Sequence, residues 1–376
     1  MTRVTLAQLL PAIDAQPHAR AVLEGALAPG ARPSHAYLLH GPAGTGKRDA
    51  ARAFAAALLA DDAHALSAIP ERIARTSHPD LTWVTPSGAS EMLVADVEEP
   101  VVAAAARTPF ESARRVFVIE RVETMNDEAA NRLLKTLEEP PSFVHMLLLT
   151  DRRAGVAPTI ASRCQHVRFD PLAPALIAER LTGVEGERAL ACARLSLGDT
   201  ARAELLASER GGAMRAAAEA FVRGALAADT EQRQWLEMLA HAKAAGEAVG
   251  DAAKERLESE LELLPSKERK RFERETADSR RRGERRARLA ALDTMLSLGE
   301  LWLRDVLCVC EGASELIHAV DRRAALDKDA REHRVEAVRE AIELVHDARL
   351  ALALNVSEEL ALEGLAYRIH ALSAGD

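Results

Sequence analysis

Three things are scarce in this chain of 376 residues: aromatic side chains, cysteines and long apolar runs. Aromatics make up only 3% of it, while Ala and Leu dominate, which favours helix. Cys164, Cys192, Cys308 and Cys310 are too few and too scattered for a disulfide framework. Cys308 and Cys310 lie two apart in the helical-looking "LRDVLCVCEG", with no second pair to complete a zinc site, so small apolar packing is expected of them. No stretch approaches the roughly 18 apolar residues of a membrane span. "MTRVTLAQLLPAIDAQ" lacks the apolar core and cleavage pattern of a signal peptide, so a cytoplasmic location away from membranes is expected. Positive charge is not in excess either. The net charge of -9 argues against a bulk polyanion binder, although one basic face can hide in that average.

Present in quantity are apolar residues, at 48%, enough for two or three domains with real cores. Between about residues 36 and 170, short apolar runs alternate with helical patterns. "AYLLHG", "LTWVTP", "RRVFVIERV", "VHMLLLTD" and "CQHVRFD" suit strands buried on both faces. In "NDEAANRLLKTLEE", Ala130, Leu133, Leu134 and Leu137 fall on one helical face, Asn126 or Asp127 can cap the start, and Pro140-Pro141 stops it. This alternation predicts an α/β domain with a parallel sheet flanked by helices. Beyond Asp170 the strand signal ends. Some 40 residues read as short helices, and the rest as longer ones, with a break expected at Pro265, a weak point at Gly283 and a joint near Asn355 and Ser357. The expected boundaries are 1–168, 169–208 and 209–376.

"HGPAGTGKRDA" has the glycine spacing of a phosphate-binding loop, between a strand and a helix. Gly41, Gly44 and Gly46 permit the wrap, backbone N–H groups and the helix N-terminus face an anion, and Lys47 can reach the phosphates. The alternative is a glycine turn that caps a helix and holds nothing. The hydroxyl that normally ligates magnesium after the lysine is replaced by Arg48, which brings no oxygen. Glu120 stands at the second metal-ligand position, but Arg121 follows where an acid would polarise water, and Glu123 cannot be placed on that water. Little or no hydrolysis is expected, with ATP or ADP binding still allowed.

"HAYLLHGPAGTGK", "SHPDLTWV", "NRLLKTLEEPP" and "TIASRCQHVRF", in this order and spacing, resemble the AAA+ clamp-loader subunits, most closely the delta-prime branch of bacterial DNA polymerase III. The likeness is strong to about residue 205 and weaker in "LWLRDVL" and "LALNVSEELALEGL". It implies an AAA+ module (1–168), a helical lid (169–208) and an all-α collar that oligomerises (209–376). It also implies a stator within a ring of motor (gamma/tau) and delta subunits that places a sliding clamp on primed DNA, as part of a polymerase holoenzyme. Arg163 of "SRC" would be an arginine finger reaching a neighbour's ATP site, against the alternative that it pairs a local carboxylate. Cys164 would be a buried wall. Thr45 would sit in the loop and Thr150 at the γ-phosphate sensor position, and Gln16 falls where the family has a Gln before its first helix. The lid motif reads "GDTARA": Gly198 and Asp199 match, Ala201 stands for the arginine, and Arg202 lies one place late. The family's four zinc cysteines are missing between the first helix and "HPDL", where His64 and His78 alone cannot make a site, so no zinc is expected.

Two other readings remain. An ATP-hydrolysing motor subunit would use Lys47 and Glu120. A DNA-binding adaptor would use the basic run Lys267 to Arg288, whose alternative is a solvated helix face laced by Glu268, Glu273, Glu275 and Glu284.

Overall fold

A computed structural model describes residues 11–60, 69, 72–73, 78–86, 91–227, 229–263, 266–353 and 356–373. The chain divides into two compact units, Met1–Ala173 with Gly198–Thr200, and Pro174–Leu197 with Ala201–Asp376.

The first unit is built on five strands: β1 (Ala36–His40), β2 (Leu81–Val84), β3 (Arg115–Ile119), β4 (Val144–Thr150) and β5 (Gln165–Arg168). They pair in parallel in the order β2-β3-β4-β1-β5. Every residue of β1 and β4 is buried, which explains why these strands read as unbroken apolar runs. Alternate residues feed opposite faces. Tyr37, Leu39, Leu147 and Leu149 enter one core with Phe54 and Leu23, while Leu38, Phe117, Ile119, Met146 and Leu148 enter the other with Leu133 and Leu137.

Helices α1 (Pro17–Leu27), α2 (Lys47–Leu59), α3 (Val94–Val97), α4 (Asp127–Glu138) and α5 (Pro158–Ala161) accompany the sheet. α4 starts where Asn126 accepts the amide of Ala129 at 2.9 Å; Asp127 and Glu128 in the first turn and Lys135 in the last suit its dipole. Ala130, Leu133 and Leu137 are buried as the spacing predicts, and Leu134 is half-buried.

The second unit is all helical: α6 (Pro174–Arg180), α7 (Gly186–Leu195), α8 (Thr200–Ala207, whose first residue belongs to the first unit), α9 (Glu209–Leu226), α10 (Trp235–Leu263), α11 (Ser266–Cys310), α12 (Arg323–Glu332), α13 (Val335–Ala353) and α14 (Glu358–Ser373). Its core is anchored by Trp235, Phe221 and Trp302. Asp329 is buried, yet it takes both ends of the Arg223 fork at 2.8 and 2.9 Å and the indole N–H of Trp302 at 3.0 Å. A carboxylate so enclosed is held because both of its oxygens have donors, one of them a cation.

The weak point expected at Gly283 does not interrupt the chain: α11 runs through it without a break. A helix of 45 residues packed along a neighbour absorbs the roughly 1 kcal/mol that one glycine costs. Pro265 and Asn355 lie outside the described residues. Of the basic run, the side chains at 267–275, 278 and 279 also lie outside them. Those that are described include Arg280 pairing with Glu284 at 3.3 Å and Arg288 with Glu358 at 2.7 Å.

Candidate nucleotide site

The ends of β1, β3 and β4 lie side by side, because these strands are neighbours in the sheet. Such C-terminal edges are where open α/β sheets present their binding loops. The glycine loop leaves β1 and enters α2. Gly41, Gly44 and Gly46 all take positive φ, at 146°, 68° and 89°. Space adds to this at two of them: a Cβ at Gly41 would lie 2.0 Å from the carbonyl oxygen of Phe169, and one at Gly44 would lie 2.6 Å from Cα of Asp199. The loop is braced from both sides. Thr45 donates to the Pro42 carbonyl at 2.9 Å, and Thr200 donates its amide and hydroxyl to the Gly44 carbonyl at 3.2 and 3.0 Å. Gln16, buried, donates to Thr45 O at 3.2 Å and to Asp170 O at 2.8 Å while accepting the Asp170 amide at 2.8 Å. The family-positioned Gln is thus a clamp between the loop and the segment after β5.

Lys47 is buried. Its ammonium donates to the Gly41 carbonyl at 2.7 Å and meets Asp151 at 2.7 Å, with Thr45 Oγ1 at 3.4 Å. Arg48, largely exposed, reaches from the first turn of α2 to Glu120 Oε2, and the indole of Trp83 donates to Glu120 Oε1 at 2.8 Å. Both oxygens of this buried carboxylate therefore face nitrogen donors. Magnesium, which takes oxygen ligands, does not fit this donor set. The loop itself fits a phosphate: three glycines that a Cβ would strain or block, and a helix N-terminus behind them.

The remaining positions are equally plain. Arg121 adopts the left-handed region at φ 53°, and its carbonyl takes the Thr124 amide and hydroxyl, so the chain turns away at the position of the water-orienting acid. Glu123 packs against Gly155. Thr150 is buried at the end of β4, and its hydroxyl accepts the Arg152 amide at 3.1 Å. Burial, with Arg153 and His166 adding to it, drives His40 down to about 4, so it is neutral beside the loop. Among the described residues no group of three His, Cys, Asp or Glu is arranged to hold a metal ion; His64 lies outside them.

Arg163, partly exposed after α5, bonds Glu138 of "LLKTLEEPP" and donates to the Thr159 carbonyl at 2.9 Å. Two of the sequence stretches that carried the resemblance meet in this pair. Cys164 is buried, and burial pushes its thiol up to about 12. It should therefore resist iodoacetamide in the native protein at neutral pH and alkylate fully once unfolded, as peptide mass spectrometry would read; rapid native labelling would mean an open site.

Sequence reasoning missed three contributors. Asp151 holds Lys47, and Trp83 holds Glu120. Asp80, the acid of "SHPDL", is fully buried and accepts the amides of Phe110, Glu111 and Ser112. The spacing of "HPDL" marked the place, but not that the acid pins a distant loop.

Residues 15–173 match the family described as DNA polymerase III, delta subunit. The first unit of this chain matches the DNA polymerase III delta/delta-prime family. The delta-prime subunit of DNA polymerase III from Pseudomonas aeruginosa is 39% identical over 139 residues, 36% of this chain and 42% of that protein. The delta-prime subunit of Bacillus subtilis is 36% identical over 156 residues, 40% of this chain and 46% of its own length. The tau subunit of Bacillus subtilis is 32% identical over 190 residues, 48% of this chain and 32% of that one. The matches thus span less than half the length of these curated relatives. Part of this chain is thus similar to delta-prime, gamma and tau subunits of DNA polymerase III, and no helix among the described residues is long and apolar enough to cross a membrane.

Proposed function

We propose that this chain is a non-hydrolysing stator of a DNA polymerase III clamp loader, the delta-prime role. In this reading it assembles with gamma/tau motor subunits and delta, serves the loading of a sliding clamp on primed DNA, and lends Arg163 to a neighbour's ATP site. The observation that carries the reading is the Arg48–Glu120 pair. A site whose metal-ligand carboxylate is closed by a guanidinium has no place for the ion that offsets developing charge in phosphoryl transfer. The turn at Arg121 supports it, because the water-orienting acid is missing too. Arg163 supports the second half: its guanidinium is partly exposed and held by a surface carboxylate, the Thr159 carbonyl and the Ser162 hydroxyl.

Purified alone, the chain should show no magnesium-dependent ATP turnover above background. Mixed with motor and delta subunits it should be required for full ATPase and clamp loading. Brisk turnover by the isolated chain would instead favour the motor reading, which draws support from the intact loop and Lys47 and from the similarity to a tau subunit.

A further inference from the structure

We propose that Arg48 stands in for the divalent cation, so that the cradle takes a nucleoside di- or triphosphate without metal. This rests on reading the glycine loop as a site that holds nucleotide without splitting it.

Glu120 is buried at the end of β3, where an ionised carboxylate needs a cation. In a hydrolysing site of this class, a bound metal bridges such an acid and the phosphate oxygens. Here the guanidinium makes the first half of that bridge, since Arg48 Nη2 bonds Glu120 Oε2 while Trp83 occupies Oε1. The second half is available to the same side chain. A guanidinium is a flat fork of five N–H donors that never loses its charge, so one edge can stay on Glu120 while another takes phosphate oxygens. Arg48 also sits in the first turn of α2, directly after the loop, and most of its side chain is open to solvent. Lys47 is the partner cation. It now bonds the loop's own Gly41 carbonyl and Asp151, and a phosphate in the loop would compete for the same ammonium. Three carboxylates lie near, Glu120, Asp151 and Asp199, so both cations are needed to make the cradle attractive to a polyanion. A divalent ion arriving with the nucleotide would meet the Arg48 charge at the carboxylate it would ligate, and would gain nothing there.

The test is calorimetric titration of the full chain with ATP and with ADP, in EDTA and in excess magnesium. The wild type should bind in EDTA as tightly as in magnesium, within about twofold, whereas Arg48→Thr, which restores a hydroxyl and frees Glu120, should bind about tenfold more weakly in EDTA and recover in magnesium. Thermal melting checks that the variant is folded, and the wild-type comparison stands without it. Wild-type affinity that drops about tenfold when magnesium is removed would overturn the proposal, as would no binding of either nucleotide in either buffer, or a folded variant that behaves like wild type. Each of these outcomes leaves the stator reading standing, because that reading fails on turnover and not on affinity.

Discussion

Arg163→Ala, in a complex reconstituted with motor and delta subunits, should assemble normally and slow ATP hydrolysis at the site facing this chain by roughly 10³-fold or more. The expectation follows from what the residue does when no neighbour is present. Its guanidinium is spent on Glu138 and the Thr159 carbonyl at the surface. Exposed pairs of this kind are worth about 0–1 kcal/mol, so exchanging them for a γ-phosphate costs little and deleting them barely touches stability. In the transition state of phosphoryl transfer, by contrast, charge spreads over equatorial oxygens inside a drier pocket, and a rigid fork is strongly favoured there. Arg163→Lys keeps the charge and loses the fork, so its rate should fall between the two. If several motor sites fire independently, bulk turnover drops only by this site's share. Single-turnover hydrolysis, which shows the slow fraction as a separate phase, is therefore the measurement to make. Unchanged kinetics in a fully assembled complex would reduce Arg163 to the surface ion pair seen in the isolated chain.

The five strands and the α4 face were legible because burial on both sides of a parallel sheet writes itself as continuous apolar runs, and a helix face writes itself at intervals of three and four. The glycine loop was legible for a similar reason: positive φ at Gly41, Gly44 and Gly46 leaves few other residues possible. Arg48 and Arg121 were conspicuous as the wrong residues at known spacings. What the sequence could not say is where those residues go. That Arg48 turns back onto Glu120, 72 positions away, depends on β3 lying beside β4 and β4 beside β1, a three-dimensional fact with no local signal. Trp83 on Glu120 and Asp151 on Lys47 are hidden in the same way. Gly283 is a weak point in the sequence that leaves α11 unbroken, because glycine propensity is a weak local term and packing along a long neighbouring helix overrides it.

Asp80→Ala should destabilise the sheet-containing unit by about 3–5 kcal/mol, read as a shift of its chemical-denaturation transition to lower denaturant. The carboxylate is sealed from solvent and receives three consecutive amides, from Phe110, Glu111 and Ser112, fixing the segment that leads into β3. Deleting it leaves those three donors without their acceptor, which is worse than never having had the charge. Asp80→Asn keeps the shape and one carbonyl oxygen, and about half the loss is expected. The pH dependence provides a second, independent reading. Burial alone would push the Asp80 carboxyl up, but the three amides, helped by His78, hold it below its ordinary value of 3.8. A carboxyl depressed on folding contributes stability that is fully present above its unfolded value and disappears as pH falls through the folded one. The loss of the Asp80 contribution is thus confined to pH below about 3.8 and is missing from the Asp80→Asn protein. His78 acts in a different window. Burial, followed by Arg72, lowers it from 6.5, and its Nδ1 accepts the Asp80 amide at 3.2 Å, so it must stay neutral to do so. Its contribution is complete above 6.5 and fades as pH falls through the lowered folded value. Wild type should therefore lose stability in two steps on acidification, a first below 6.5 shared by His78 and the likewise lowered His40 and a second below about 3.8 from Asp80, and Asp80→Asn should keep the first and lack the second. A variant that retained both steps would mean that another acid, not the one in "HPDL", pins the loop.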